Sequence, residues 1–141
     1  AKTIADQMQK KNIHGSIIQL SSMYGLVAQD DNLYKKTNVS ENMTYGIIKS
    51  STIHFTKQMA SHYGKYNIRV NNLVIGGIKG HIKGSKKKQD KSFLKKFNLK
   101  VPLKRMGTPH EIPSSVIFLA SPASSYITGA NIVIDGGYSI I

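Results

Sequence analysis

Tyr45 and Lys49 stand four residues apart in a stretch of helical periodicity, so their side chains share one face. An ammonium on that face stabilises a phenolate, and a phenol so placed can give or take a proton near neutral pH. Reducing a carbonyl, or oxidising an alcohol, requires that kind of proton movement at oxygen. Ser21 and Ser22 close an apolar run earlier in the chain, at the strand end where open α/β sheets hold their ligands. Spacing alone does not select this chemistry. Seven Tyr and 18 Lys in 141 residues give about one such pair by chance. An ordinary exposed helix pair and two turn-forming serines are the plain alternatives.

The elements that must position these residues follow from the apolar pattern. Ala1, Ile4, Ala5 and Met8 recur at helical spacing, and Asn12 to Gly15 end that helix. Residues 16–20 read as a short buried strand. Residues 25–44 are polar and irregular, a loop of about twenty residues, a length usually tied to function or mobility. A long helix is predicted over 45–63, with Ile48, Phe55, Met59 and Tyr63 as its apolar stripe and Gly64 placed to stop it. Residues 68–75 form a strand rich in branched side chains, ended by Gly76-Gly77, and a short helix is predicted at 92–97. Thr108-Pro109-His110-Glu111 has the form of a capping box with proline at the first helical position, starting a helix that runs to Ala120. A last strand, 130–135, is closed by Gly136-Gly137.

That alternation predicts an α/β fold with a parallel sheet of three strands joined by right-handed crossovers. The strands are apolar on both faces, as expected of a sheet covered by helices on each side. The chain opens inside a helix, without an initiator Met, and reads as a fragment. Its first strand should therefore present an unpaired apolar edge.

Composition narrows the classes. The apolar fraction of 40% fits a soluble globular chain, and no apolar run approaches the ~20 residues of a membrane span. With no cysteine there is neither disulfide framework nor thiolate metal site. The five His show no metal-ligand spacing, so no metal is expected. Asn38-Val39-Ser40 and Asn42-Met43-Thr44 match glycosylation acceptors but follow no secretion signal, and a cytoplasmic location is expected. The net charge of +13 comes from Lys far more than Arg, densest from Lys79 to Lys96. Base and phosphate readers favour Arg for its bidentate geometry. A solvated basic face is the leading reading, and nucleic acid is not the expected partner; a polyanion site is the alternative.

Five phrases carry a resemblance. Gly15-Ser16-Ile17-Ile18-Gln19-Leu20-Ser21-Ser22-Met23-Tyr24-Gly25 resembles the active-site strand of short-chain dehydrogenases/reductases, and Tyr45-Gly46-Ile47-Ile48-Lys49 their Tyr-xxx-Lys pair. Ile68-Arg69-Val70-Asn71 is similar to the next strand, with a glycine turn after it. Arg105 to Ile112 and Phe118 to Ser121 follow in order, and Tyr126-Ile127-Thr128-Gly129 with Val133-Ile134-Asp135-Gly136-Gly137 resembles the usual ending. The match spans almost the whole chain.

The resemblance implies one truncated Rossmann-like domain over 1–141, the C-terminal part of a doubly wound parallel sheet, with the phosphate loop, first strands and catalytic asparagine lying upstream of Ala1. It implies Tyr45 as catalytic acid/base and Ser22 as the group that orients the substrate oxygen. Lys49 would favour the phenolate and hold the nicotinamide ribose. The backbone of Ile75, Gly76, Gly77 and Ile78 would pass beside the nicotinamide of NAD or NADP. The reaction would be hydride transfer at a carbonyl or alcohol carbon. Two positions depart from the family: Ile75 stands where Pro is usual, and Gly80 where a Thr often contacts the carboxamide.

The 23-residue gap from Ser22 to Tyr45, with the insert at 29–43, is similar to members acting on surface-glycan and nonulosonic-acid sugars. A sugar or nucleotide-sugar substrate would place its phosphates near Lys83, Lys86, Lys87 or Lys88; a solvated, lysine-rich lid is the alternative for those residues. Gly76, Gly77, Gly80 and Gly84 could cradle a phosphate, but no helix N-terminus clearly follows. His54 and Met59 read as packing residues. The family's dimer interface implies a homo-oligomer through the helices at 1–11 and 45–63. Two rivals use the same fold: a Lys-rich polyanion-binding module, whose binding would be salt-sensitive, and a non-catalytic partner subunit.

Overall fold

The computed structural model describes residues 1–80 and 89–141. Lys83, Lys86, Lys87 and Lys88, with Gly84, lie outside the described residues. Helix α1 (Lys2–Lys10) buries Ala5 completely. Asn12 then takes a left-handed conformation, φ 52°, which Asn tolerates better than most residues, and turns the chain into β1 (Gly15–Ser22). Strand β2 (Ile68–Ile75) lies parallel to β1, from Gly15 opposite Ile68 to Ser22 opposite Ile75. Strand β3 (Asn131–Ile134) lies parallel on the other side of β2, ending with Ile134 opposite Ile75. The sheet order is β1-β2-β3, all parallel, as the alternation of elements predicts.

Burial differs along the sheet. In central β2, Ile68, Val70, Leu73 and Val74 are wholly buried. The outer strands depart from the predicted two-faced burial: β1 leaves Leu20 55% exposed and β3 leaves Val133 42% exposed. Among the described residues β1 is an edge strand, paired only with β2.

Several elements differ from the sequence reading. Residues 25–44 contain a short helix, α2 (Asp31–Tyr34), capped by the Asp30 side chain and anchored by buried Leu33. The long helix, α3 (Met43–Tyr63), ends near Gly64, but Gly64 has ordinary right-handed geometry, and a following 3-10 turn ends on Asn67, the left-handed residue. Its apolar stripe is divided: Met59 and Tyr63 are buried, whereas Ile48 and Phe55 are exposed, and His54 is exposed rather than packed. Finally, the helix predicted from Thr108 breaks in two. A 3-10 turn, Pro109–Glu111, precedes α5 (Pro113–Ala120), because Pro113 has no N–H to give the Pro109 carbonyl. The capping box at Thr108 and Glu111 is present.

The buried apolar residues form two clusters. One joins α1, α3 and β2 through Ala5, Met59, Ala60, Tyr63, Ile68 and Val70. The other is built from connecting segments: Met23, Leu33, Phe97, Val101, Met106 and Tyr138. Helix α4 (Lys91–Lys100), longer than predicted, contributes Phe97 and is capped by Asp90, whose carboxylate accepts from the Phe93 N–H at 2.9 Å. Arg69 ties β2 to the end of α5, donating to Ser124 Oγ and to the carbonyls of Leu119, Ser121 and Ile127.

Candidate active site

The site forms where β1 and β2 end. Ser22 is the last residue of β1, beside Ile75, the last of β2. Its Oγ accepts from the Tyr24 N–H at 3.3 Å, capping the turn Met23–Gly25. The hydroxyl hydrogen stays available, since Ser is donor and acceptor at once. Tyr45 sits in the first turn of α3. That turn is fixed by Asn42, whose side chain accepts from the Tyr45 N–H at 3.1 Å, an N-cap use of a residue that reads in the sequence only as a glycosylation acceptor.

Lys49 lies one turn on, its Nζ 5.4 Å from the Tyr45 ring centroid and 3.4 Å from the Leu20 carbonyl to which it donates. Ser21 donates its hydroxyl to the Lys49 carbonyl at 2.7 Å. Two glycines permit this close fit of turn and helix, and neither was singled out in the sequence for that purpose. A Cβ on Gly25 would lie 2.8 Å from the Lys49 carbonyl carbon and oxygen, and one on Gly46 would lie 3.2 Å from the Tyr24 carbonyl oxygen.

A cleft of about 190 Å³ brings together Ser22, Tyr45, Gly76, Gly77 and Ile78. Met23, Phe97 and Met106 form its buried base; Tyr24, Phe93 and Gln89 complete the lining. Ile75 and Lys49 stand next to the cleft rather than on its lining. A far more spacious hollow, about 720 Å³, lies at the opposite ends of the strands among His14, Arg69 and Tyr126. No candidate residue sits there, so the chemistry of the lining, and not size, locates the site.

The glycine turn after β2 is held in place at several points. Gly77 passes so near Phe97 that a Cβ would lie 2.5 Å from Phe97 Cζ. Gly107 donates its N–H to the Gly77 carbonyl at 2.9 Å and accepts from the Lys79 N–H at 2.8 Å, and Gln89 donates to the Ile78 carbonyl at 3.3 Å. Next to Gly107, Glu111 accepts two bonds from Arg105, at 2.8 and 2.7 Å, and one from the Thr108 N–H at 2.7 Å. Arg105 first, then the backbone donor, hold the Glu111 carboxyl at about 2. By contrast, a Cβ at Gly80 would meet nothing within 4 Å.

Two phenols line the cleft, with different prospects. Burial, and then its bond to Tyr34, push the Tyr24 hydroxyl far above the usual tyrosine range, so it stays protonated. Tyr45 is 40% exposed and faces an ammonium. Tyr24 is a wall of the cleft; Tyr45 is the phenol open to a ligand.

The family profile described as enoyl-(acyl carrier protein) reductase matches residues 1–139. The chain belongs to the short-chain dehydrogenase/reductase family. It is 34% identical over 139 residues to a D-arabinitol 2-dehydrogenase [ribulose-forming] of Scheffersomyces stipitis, covering 98% of this chain and 47% of that one. It is 32% identical over 131 residues to post-translational flagellin modification protein A of Campylobacter coli, covering 93% and 48%. The fold matches a short-chain dehydrogenase of Leptospira borgpetersenii, solved with bound NAD+, at a TM-score of 0.85 and 33% identity, over 96% of this chain and 48% of that one. This short-chain dehydrogenase/reductase chain thus spans about half the length of the relatives it matches.

Proposed function

We propose that residues 1–141 form the catalytic and substrate-binding half of an NAD(P)-dependent oxidoreductase that moves a hydride between nicotinamide and a carbonyl or alcohol carbon. The observation that carries this reading is the meeting of Ser22, Tyr45 and the Gly76–Ile78 backbone on one cleft, with the Lys49 ammonium against the Tyr45 ring.

The residues present fit the nicotinamide end of such a cofactor. Lys49 gives one of its three ammonium donors to Leu20, which leaves two for ribose hydroxyls. The Ile78 N–H, beside the cleft, has no acceptor among the described residues and can meet a polar ring substituent. When bound, the cofactor supplies or takes up the hydride. Tyr45 donates the proton to the substrate oxygen in reduction and recovers it in oxidation, while the Ser22 hydroxyl donates to that same oxygen. Lys49 faces the negative charge that develops on the phenol oxygen. Phe93 and Met106 exclude water from the reacting carbon.

A polyhydroxy substrate is supported by relatives named for D-arabinitol. The lysines from Lys79 to Lys96 favour an anionic substituent such as a nucleotide diphosphate. A homo-oligomer joined through α1 and α3 is supported by Ile4, Ile47, Ile48 and Phe55, all exposed on those helices.

The test is titration with NADH and NADPH, followed by fluorescence, on this chain and on one extended upstream, each with and without Tyr45→Phe. Binding by the extended chain, with turnover lost in Tyr45→Phe, supports the reading. Failure of both chains to bind, with salt-sensitive polyanion binding untouched by Tyr45→Phe, replaces it with a Lys-rich binding module.

A further inference from the structure

We propose that Ser21 is a positioning residue: its hydroxyl, bonded to the main-chain carbonyl of Lys49, sets the register of α3 against β1 and so the place of Tyr45 relative to Ser22. The inference rests on the proposed function for its catalytic meaning.

Three neighbouring points of the strand and its turn converge on Lys49. The Ser21 hydroxyl donates to its carbonyl at 2.7 Å, the Leu20 carbonyl accepts from its Nζ at 3.4 Å, and Gly25 leaves room against its backbone where a Cβ would lie 2.8 Å away. Ser21 is 5% exposed, so water does not compete for the bond. The carbonyl it meets lies inside a helix, where one lone pair serves the helix ladder and the second is open to an outside donor. Ser21 does not line the cleft, and its hydroxyl hydrogen is committed to Lys49. Neighbouring strand side chains point to opposite faces, so Ser21 reaches the helix while Ser22 reaches the cleft. Displacing reacting groups by a fraction of a turn is costly, since even about 1 Å can lower a rate about a hundred-fold.

The molecule contains its own control. Two turns further along α3, Thr56 makes a second polar tie to β1, its buried Oγ1 accepting from Gln19 Nε2 at 2.8 Å. That tie touches neither Lys49 nor the cleft.

In the full-length enzyme, Ser21→Ala and Thr56→Val are expected to lower the melting temperature similarly. Only Ser21→Ala should lower kcat, by roughly ten-fold to a hundred-fold with KM for NADH little changed. Ser21→Cys, which keeps the volume but bonds weakly, should fall between, and it carries the test if Ser21→Ala does not fold. Equal kcat for Ser21→Ala and Thr56→Val overturns the proposal. If the unsubstituted enzyme shows no turnover, the functional reading fails separately. Nuclear Overhauser contacts between the Tyr45 ring and Ser22 then decide the positioning claim: weakened in Ser21→Ala but not in Thr56→Val they support it, and unchanged in both they overturn it.

Discussion

The two ends of α3 do different work. Its first two turns carry Tyr45 and Lys49 and leave Met43, Ile47 and Ile48 exposed; its last two bury Met59, Ala60 and Tyr63 against α1 and β2. The first end is placed by polar contacts and glycines: Asn42 to Tyr45, Ser21 to Lys49, Gly25 against the helix backbone. The second is held by apolar area and by the Tyr63 hydroxyl donating to Asp6 at 2.5 Å. One helix thus carries its buried apolar contacts at one end and the candidate residues Tyr45 and Lys49 at the other.

Substitutions should divide along the same line. The largest effect is expected from Tyr45→Phe at the exposed end: turnover falls about 10²–10⁴-fold, while the melting temperature measured by calorimetry stays within a degree or so. At the buried end Met59→Ala should reverse that pattern, costing about 2–5 kcal/mol in denaturant unfolding with kcat per folded molecule unchanged. A variant that crosses the line is Gly25→Ala, which forces the turn off Lys49. It should cost about 1–3 kcal/mol and slow turnover together, and an effect on stability alone would mean the turn relaxes without moving α3.

The smallest expected effect is on pH dependence at the buried end. Bonds from Lys2 first, then Tyr63, depress the Asp6 carboxyl below its ordinary 3.8, and the Asp6 bond raises the Tyr63 phenol above its ordinary 10.0. The Asp6 contribution is complete above 3.8 and is lost as pH falls through the depressed value. The Tyr63 contribution is complete below 10.0 and is lost as pH rises through the raised one. Tyr63→Phe should abolish the alkaline arm of a melting-temperature profile and only reduce the acid arm, which Lys2 still sustains, without shifting the activity profile.

The buried end was largely legible in the sequence. Periodicity gave α1, α3 and β2 with boundaries within two residues, and Met59 and Tyr63 as core. It failed at Ile48 and Phe55, since spacing shows which residues share a face but not how far along a helix that face is covered. The helix read through Pro113 shows the same limit: the capping box was visible, yet the break comes from one missing N–H. Of the candidate site, the types and order of Ser22, Tyr45, Lys49 and the Gly76–Ile78 turn could be read in the sequence, while their meeting at one cleft, with Lys49 beside it, could not. Ser21, Gly25, Asn42 and Gly107 were not assigned these contacts, because each acts on a partner distant in sequence or as a cap without a distinctive pattern.

By itself the sequence determined the order of elements, the parallel sheet and the residue types able to move a proton, since these depend on local periodicity and side-chain chemistry. Only the tertiary structure decided the different surroundings of the two phenols at the cleft. Tyr24 and Tyr45 are the same residue type, but burial against Tyr34 keeps one protonated while exposure next to Lys49 leaves the other open to a ligand. Burial and neighbouring charge are properties of assembled surroundings, and those exist only once strand, turn and helix have met.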